Sequence, residues 1–264
     1  MIIHYKTDEE IELIRKSSLL VGKTLAEVAR HIKPGIKTIE LDRIAETFIR
    51  DNGAKPAFKD YRGFPATLCI SINEVVVHGI PGDREIKDGD LVSVDCGTIL
   101  NEYYGDSAYS FAVGEVSNDV LLLMKRTKES LYKGIEAARI AKRIGDIGFE
   151  VQSYVESFGY SVVRDLVGHG LGRSLHEKPD VPNYGKRGTG NVLAEGLVIC
   201  IEPMINLGKR SIVQERDGWT IRTADRSASA HFEHAIAIRK DGPDILSSFE
   251  EIEQVVNSNI QIIK

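Results

Sequence analysis

The chain has 264 residues, of which 42% are hydrophobic, and a formal net charge of −5. It is long enough to bury a full core, and its mildly acidic balance lacks the basic surface that direct nucleic-acid binding requires. Because no segment resembles a signal peptide or a membrane span, and three scattered cysteines do not form a disulfide framework, we expect a cytoplasmic protein that does not contact membranes.

Helices are predicted first along the chain. Apolar residues recur at helical spacing over residues 7–32, ahead of a Pro-Gly breaker. A second helix is predicted over 38–52, with Thr38 as its N-cap and Gly53 closing it. Strand-like runs follow in ATLCISI, EVVVHGI and LVSVDCGTIL, and the last of these turns at 101–102 into YYGDSAYSFAV.

The same order of helices and strands then starts again. Helical patterns cover residues 118–141 and 146–158, and strand-like runs follow in YSVVRDL, LVICIEPM, TIRTADR and HFEHAIAI. Moving the first half forward by 106 residues (147 − 41) aligns Leu41 with Ile147. Because amphipathic helices can share such a pattern by coincidence, periodicity alone leaves the internal repeat open.

Each half also carries two carboxylates inside strand-like runs, where apolar residues are usual. Asp95 follows LVSV and Glu202 follows LVICI, at an offset of 107 (202 − 95) that is close to the helix offset. Asp106 and Glu233 lie further along, in YGDSAY and HFEHAIAI. A buried ionised carboxylate is very costly unless a positive charge meets it, and four together favour divalent metal ions over separate arginines or lysines.

An imidazole would complete such a metal site, and the sequence offers several. The segment VGHGLGRSLHEKPDVPNY carries His169 and His176, but it lacks the second histidine of the HExxH zinc-protease helix. In a strand, His234 would face away from Glu233, whereas His231 would share its face. The residues alone leave four candidates: His78, His169, His176 and His231.

Six short segments stand in an order and spacing that a known family shares. They are NEVVVHGIP, VDCGT, YGDSAY, GHGLGRSLHEKP, IEPM and DGWTIRTADRSASAHFEHAI. Together they resemble the type I methionine aminopeptidases of the pita-bread metallopeptidase superfamily, and the resemblance spans nearly the whole chain. It implies a single α/β (α+β) domain over residues 1–264, with two pseudo-symmetric halves and a curved, mainly antiparallel sheet backed by helices.

The activity implied by the resemblance is removal of the N-terminal methionine from peptides and nascent proteins. A centre of two divalent metal ions (Co, Mn, Fe or Zn) would activate a bridging water, and Glu202 would act as general base. His78 and His176 would be the catalytic hydrogen-bonding groups. The implied metal ligands are Asp95, Asp106, His169, Glu202 and Glu233. The implied methionine pocket contains His78, His176, Tyr61, Phe64, Cys69 and Trp219.

Two positions differ from the commonest family pattern, and both are expected at the rim of the pocket. Arg62 stands where histidine is frequent, and Leu175 stands where phenylalanine is frequent. Only 31 residues (233 − 202) separate Glu202 from Glu233, which favours the minimal type I domain over type II enzymes.

Three other readings compete with the aminopeptidase. A metal-free binding protein of this fold would have lost at least one ligand, and here all the implied ligands are present. Prolidase-like and creatinase-like enzymes are disfavoured because they usually carry an additional N-terminal domain. The resemblance further implies nascent-protein N-termini as substrates and a monomeric enzyme, with the ribosome as a candidate partner.

Overall fold

The fold is a mixed α/β arrangement in which helices and strands follow the same order twice. The computed structural model describes residues 2–258. The helices in that range are α1 (Asp8–His31), α2 (Thr38–Asp51), α3 (Asn118–Ala137), α4 (Ile144–Glu156) and α5 (Glu250–Ser258). None of these described helices is long and apolar enough to cross a membrane.

The strands lie between the helices along the chain, and most of them are short. Those of the first half are β1 (Lys55–Pro56), β2 (Leu68–Ile72), β3 (Val75–Val77), β4 (Leu91–Leu100) and β5 (Tyr103–Ala112), with a 3₁₀ turn at Tyr61–Gly63. Those of the second half are β6 (Ser161–Val162), β7 (Gly168–Gly170), β8 (Glu177–Val181), β9 (Val198–Ile201), β10 (Met204–Asn206), β11 (Ile212–Gln214), β12 (Ile221–Thr223), β13 (Ser229–His231), β14 (His234–Arg239) and β15 (Gly242–Ile245).

The strands named above pair with one another in antiparallel fashion, and an isolated parallel bridge joins Ile3 to Lys178 of β8, which fits the predicted mainly antiparallel sheet. The orders are β1-β4-β2 with β5 on β4, β13-β10-β6, β11-β12-β3, and β15-β14-β9-β7-β8. Each half has an antiparallel strand pair at its centre, the hairpin of β4 with β5 in the first half and the shorter pair of β9 with β14 in the second. These two pairs carry the acids or lie next to them.

The first helix forms where the periodicity predicts it. The Thr7 side chain accepts a hydrogen bond from the Glu10 N–H, and the Glu10 side chain accepts one from the Thr7 N–H, which makes a capping box. Acidic residues fill the first turn and basic residues the last, as the helix dipole favours. The predicted helix over 7–32 is confirmed to within one residue at each end.

Two predicted details of the other helices are wrong. α2 does begin at Thr38, but Lys37 is the N-cap residue, and the Thr38 hydroxyl donates to a carbonyl outside the helix (3.1 Å). α4 begins at Ile144, two residues before its predicted start. The Asp146 carboxylate accepts from the Arg143 N–H (2.7 Å), so this acid caps the first turn from inside the helix.

The strand pairing of the two halves shows the same internal repeat as the sequence. Lys55 of β1 pairs with Ile99 of β4, and Ser161 of β6 pairs with Asn206 of β10. The offsets are 106 (161 − 55) and 107 (206 − 99), the same as those of the helices and the acids. α1 and α3 also end 106 residues apart (137 − 31), which puts the end of α3 before the predicted residue 141. The repeat is structural, so coincidence between amphipathic helices is not its cause.

One strand differs between the halves. β4 is continuous over 10 residues and contains Asp95, whereas its counterpart is divided into β9 and β10 by Glu202 and Pro203. Proline has no N–H to donate to a ladder. The Glu202 carbonyl instead accepts a hydrogen bond from the Asn183 side chain (3.0 Å). The break leaves Glu202 outside the regular strands.

Helix α1 lies directly on β5. A Cβ atom added to Gly105 would lie 2.4 Å from backbone atoms of Ser17 and Ser18, so only glycine permits this approach. Ser17 Oγ also shares a hydrogen bond with Thr98 Oγ1 (2.8 Å) on β4. This packing fixes the hairpin that carries the first two acids.

Candidate metal centre and active site

The residues that the sequence singles out line one cavity of about 220 Å³. It brings together side chains from both halves and from the loops between them. The singled-out residues in its wall are Tyr61, Phe64, Cys69, His78, Asp95, Asp106, His169, His176, Glu202, Trp219 and Glu233. The wall also contains Phe58, Val77, Leu166, Val167, Met204 and His231.

Four carboxylates meet inside this cavity without a compensating cation. Within residues 2–258, no lysine or arginine forms an ion pair with Asp95, Asp106, Glu202 or Glu233, and only histidines approach them. Oxygen atoms of three of these acids are buried without a hydrogen-bond partner: Asp95 Oδ1, Asp106 Oδ1 and Glu233 Oε1. Arginine or lysine partners, the alternative to metal ions at this site, are therefore excluded for these acids.

The burial of these acids has a large effect on their protonation. Burial raises the pKa of Asp95 from 3.8 to about 7. Burial, reinforced by the neighbouring acids, also raises the pKa of Asp106, Glu202 and Glu233 well above their ordinary values. Divalent cations would reverse this effect, because they stabilise the ionised form. The donor set of four carboxylates and unpaired oxygens thus fits metal ions.

His169 presents a free nitrogen to these acids. Its Nδ1 lies 2.9 Å from the Gly170 carbonyl, which can only accept, so Nδ1 carries the hydrogen. Its Nε2 lies 3.7 Å from Asp106 Oδ2 and 3.5 Å from Glu202 Oε1. Burial lowers the pKa of His169 to about 4, so the ring is neutral at pH 7. A neutral imidazole with this orientation can act as a metal ligand through Nε2.

The glycines beside His169 are required by close packing. A Cβ atom added to Gly168 would lie 2.3 Å from the Cys200 carbonyl oxygen, and one added to Gly170 would lie 2.5 Å from the Lys178 carbonyl oxygen. Strand β7 therefore sits tightly between β8 and β9. This packing holds the His169 ring in place.

Two further groups lie near the acids: Cys200, which was not predicted as a site residue, and His231, a candidate from the residues alone that the family resemblance did not include. Ligand atoms of Asp106, His169, Cys200 and Glu233 all lie within 4.8 Å of one another. Burial raises the pKa of the Cys200 thiol, which keeps it protonated. His231 Nε2 is buried without a hydrogen-bond partner, 3.9 Å from Glu202 Oε2. Cys200 was recognisable from its position two residues before Glu202, on the same face of the chain.

The remaining two histidines of the set differ in their surroundings. His78 follows β3 with a left-handed backbone (φ 58), and burial lowers its pKa. Its ring lies 6.4 Å from that of Trp219. His176 Nδ1 lies 2.8 Å from the Tyr61 hydroxyl, and burial lowers the pKa of His176 to about 3. By contrast, His234 stacks on Phe249 (3.8 Å) and faces away from the acids, as predicted.

An apolar wall completes the cavity. The rings of Phe64 and Trp219 meet edge to face at 5.2 Å, and Cys69 is buried opposite Asp95 in the β2–β4 ladder. Arg62 is exposed, as expected for a rim residue. Leu175 also lines the cavity, but it is buried in the apolar cluster that contains Phe64 and Cys69, so it belongs to the inner wall and not to an exposed rim.

The chain is similar to known proteins over most of its length. The model of metallopeptidase family M24 matches residues 12–240. A methionine aminopeptidase of Clostridium perfringens is 50% identical over 93% of this chain and 99% of its own length. Methionine aminopeptidase 1 of Bacillus subtilis is 49% identical over 92% of this chain and 98% of its own length.

Solved structures extend the similarity to the fold. The methionine aminopeptidase of Rickettsia prowazekii superposes with a TM-score of 0.92 at 42% identity, over 94% of this chain and 100% of that one. A prolidase from Pyrococcus furiosus superposes with a TM-score of 0.76 at 25% identity, over 92% of this chain and 65% of that one. The predicted pita-bread fold and the predicted family are confirmed.

Proposed function

Because the chain belongs to metallopeptidase family M24, we propose that it hydrolyses the bond after the N-terminal methionine of peptides and nascent proteins. The observation that carries this proposal is the set of four buried carboxylates beside His169, which no lysine or arginine neutralises within residues 2–258. Relatives named methionine aminopeptidase, matched over more than nine-tenths of the chain, support the same activity.

We infer that two divalent metal ions, drawn from Co, Mn, Fe and Zn, bind in this cavity. A ligand set rich in carboxylate oxygens with one imidazole suits these ions in a catalytic site. A structural zinc site would instead consist of cysteine and histidine ligands. When bound, the ions supply Lewis-acid polarisation of the scissile carbonyl and a nucleophilic water at neutral pH. The proposed ligands are Asp95, Asp106, His169, Glu202 and Glu233.

Glu202 is proposed as the general base. Its carboxylate lies outside the regular strands and reaches both His169 (3.5 Å) and His231 (3.9 Å). Because a general base must be within hydrogen-bond reach of the proton it removes, this position outside the regular strands suits Glu202 better than the acids held in the β4–β5 hairpin. Glu202 would take the proton of the attacking water and pass it towards the leaving amine.

His176 and His78 are proposed to hydrogen-bond the reacting peptide. Both are neutral at pH 7 because burial lowers their pKa values. A neutral imidazole can donate one hydrogen bond, and such a donor is worth most when it meets the negative charge of the tetrahedral intermediate. We assign that contact to His176 and the contact with the amide nitrogen to His78.

The substrate's methionine side chain is proposed to fill the apolar end of the cavity. Methionine is flexible and polarisable and makes favourable contacts with aromatic rings and sulfur. The edge-to-face pair of Phe64 and Trp219 and the buried Cys69 offer such surfaces. The proposed pocket consists of Tyr61, Phe64, Cys69, His78, His176 and Trp219.

The wider setting is proposed from the same relationship. We propose that residues 1–264 form one domain, that the enzyme is a cytoplasmic monomer, and that its substrates are peptides and nascent chains, with the ribosome as a candidate partner. Membrane and nucleic acid are not proposed as partners. Chromatography with light-scattering detection tests the monomer, and co-sedimentation with ribosomes tests that partner.

Peptide hydrolysis after metal stripping tests the proposed activity. The substrates are Met-Ala-Ser, a Leu-Ala-Ser control and an X-Pro dipeptide, each assayed with Mn, Co, Fe or Zn restored. Cleavage of the methionine peptide that requires a metal and spares the leucine control supports the proposal. Cleavage of the X-Pro dipeptide alone would assign a prolidase activity instead, and no cleavage with any metal would favour a binding protein.

A further inference from the structure

The hydroxyl of Tyr61 is joined to the imidazole of His176 across the cavity. The Tyr61 oxygen lies 2.8 Å from His176 Nδ1, although the two residues are 115 positions apart in the chain. The His176 ring also packs against two others, with centroid distances of 5.3 Å to Tyr61 and 4.3 Å to His169. One ring nitrogen of His176 is therefore occupied by a protein partner, and Nε2 remains for a substrate.

The segment that presents Tyr61 is a tight, well-bonded turn. Asp60 and Arg62 both have left-handed backbone angles (φ 68 and φ 52) on either side of Tyr61. The Asp60 N–H donates to the Phe64 carbonyl (2.8 Å), and the Phe64 N–H donates to the Tyr61 carbonyl (3.0 Å). Non-glycine residues hold such angles only where the surrounding structure fixes them, and these positions tend to cluster at functional sites.

The chemistry of the two groups sets the direction of this hydrogen bond. A phenol is a stronger donor than a neutral imidazole N–H, and the bare imidazole nitrogen is a stronger acceptor than a phenol oxygen. The favoured arrangement is therefore donation from the Tyr61 O–H to Nδ1 of His176. In a neutral ring the hydrogen then stands on Nε2, because the bond made by one nitrogen determines the state of the other.

His169 provides the opposite case in the same cavity. Its Nδ1 must donate, because its partner at 2.9 Å is the Gly170 carbonyl, and its Nε2 is left bare. The two histidines, seven positions apart (176 − 169), are thus held in opposite tautomers by different partners. A bare Nε2 suits a metal ligand, and an Nε2–H suits a hydrogen-bond donor.

We propose that Tyr61 is a positioning residue that holds His176 in the Nε2–H tautomer, ready to donate to the oxyanion formed during peptide hydrolysis. This inference rests on the proposed function for its catalytic meaning. It goes beyond a place in the methionine pocket, because the hydroxyl of Tyr61, and not its ring alone, contributes to the reaction. Removing the hydrogen-bond partner that fixes the tautomer of a metal-bound histidine typically lowers activity about 10-fold to 100-fold, and we expect an effect of similar size for the partner of His176.

The substitution Tyr61→Phe tests the proposal because it keeps the ring and removes the hydroxyl. We expect kcat for Met-Ala-Ser to fall about 10-fold while KM changes less than about twofold, since the apolar pocket is retained. Long-range ¹H–¹⁵N spectra of the zinc-loaded protein labelled in histidine give a second readout. The wild-type His176 signals should show a hydrogen on Nε2 alone, and in Tyr61→Phe they should move towards the average of both tautomers.

Tyr132→Phe is a matched control, because the Tyr132 hydroxyl contacts His234 Nε2 (3.3 Å) outside the cavity. It should leave kcat and the His176 signals unchanged. The inference is overturned if His176 carries its hydrogen on Nδ1 in the wild type, or if Tyr61→Phe leaves both kcat and the His176 signals unaltered. A wild-type protein that cleaves no methionine peptide would instead overturn the proposed function, while the spectra would still decide the tautomer.

Discussion

The two halves of the molecule share one scaffold but deliver their acids differently. In the first half, β4 runs without interruption through Asp95, and Asp106 follows on the neighbouring β5. In the second half, the equivalent strand is broken at Glu202 and Pro203, and Glu233 lies just before β14. The first pair of acids is therefore held inside the β4–β5 ladder. The second pair lies just outside the ends of β9 and β14.

This difference shows how a repeat can become asymmetric in function. Acids within the β4–β5 ladder have little freedom, which suits groups that only hold a metal ion. Glu202, released from the ladder, lies 3.5 Å from His169 and is placed to exchange a proton. The second half also supplies His176, so the proposed proton transfer and oxyanion contact come from that side.

The largest expected effect comes from removing the second-half ligands. Glu202→Ala and His169→Ala should each lower kcat/KM for a methionine peptide by at least about 10³-fold, because each removes a proposed ligand and Glu202 also serves as base. Both variants should remain folded, as judged by circular dichroism, since neither removes core volume. Activity at the wild-type level in either variant would refute the site assignment.

The next effect separates His169, which lies in β7, from His176, which lies just before β8. His176→Ala should lower kcat about 10²-fold to 10³-fold, the range for one lost oxyanion donor. Its metal content, measured by plasma mass spectrometry, should equal that of the wild type. His169→Ala should lose metal, and metal loss in His176→Ala instead would mean that the two roles are exchanged.

A third test compares equivalent core positions of the repeated helices. Leu41 in α2 and Ile147 in α4 stand 106 residues apart and are both fully buried. Leu41→Ala and Ile147→Ala should each reduce the free energy of unfolding by about 3 kcal/mol, the middle of the range for such truncations. Urea unfolding of the metal-loaded protein measures both. If the two losses in free energy of unfolding differ by more than about 2 kcal/mol, the two positions do not contribute equally to stability.

The smallest effect is a pH dependence of the metal-free protein. Its Asp95 has a folded pKa of about 7, raised from 3.8, and the pKa values of Asp106, Glu202 and Glu233 are also raised well above their ordinary values, so the folded state binds these protons more tightly and stability rises as pH falls from 8 towards 6. Buried His169, His231 and His234 have pKa values lowered to about 4, about 3 and about 3, so their contribution to stability is lost as pH falls below 6.5, which opposes the rise and reverses it at lower pH.

Thermal unfolding with and without metal measures this pH dependence. The melting temperature of the stripped protein should rise by about 2–4 °C between pH 8 and 6. The metal-loaded protein should not show the rise, because bound ions keep the carboxylates ionised. A stripped protein that loses stability steadily between pH 8 and 6 would contradict the burial of unpaired acids.

Local patterns predicted much of the fold and the four acids of the cavity, whereas the pocket residues and the choice among the histidines came from the resemblance to a known family. The continuous apolar run of β4 and the turn at 101–102 were readable because their side chains act locally, and the acids stood out as polar residues in apolar runs. The hydrogen-bond partners that orient His169 and His176 were not readable. The Tyr61–His176 bond joins distant segments, and the proximity of Cys200 to the acids depends on how β9 lies beside β7.

The asymmetry between the halves also exceeded what periodicity can predict. Pro203 indicates an interrupted strand, but the bond from Asn183 that satisfies the freed carbonyl depends on tertiary packing. Similarly, Thr38 has the side chain of an N-cap residue, yet its hydroxyl bonds to Gly82. In both cases the hydrogen-bond partner is distant in the chain, and for Thr38 it replaces the local N-cap bond.

Anomalous diffraction from a crystal soaked in Mn²⁺ tests the central claim most directly, because it locates each ion independently of activity. The account expects two peaks roughly 3.5–4 Å apart. One should lie among Asp95, Asp106 and Glu233, and the other should also contact His169 and Glu202. No peak between the two pairs of acids, or ions bound only elsewhere on the protein, would contradict it.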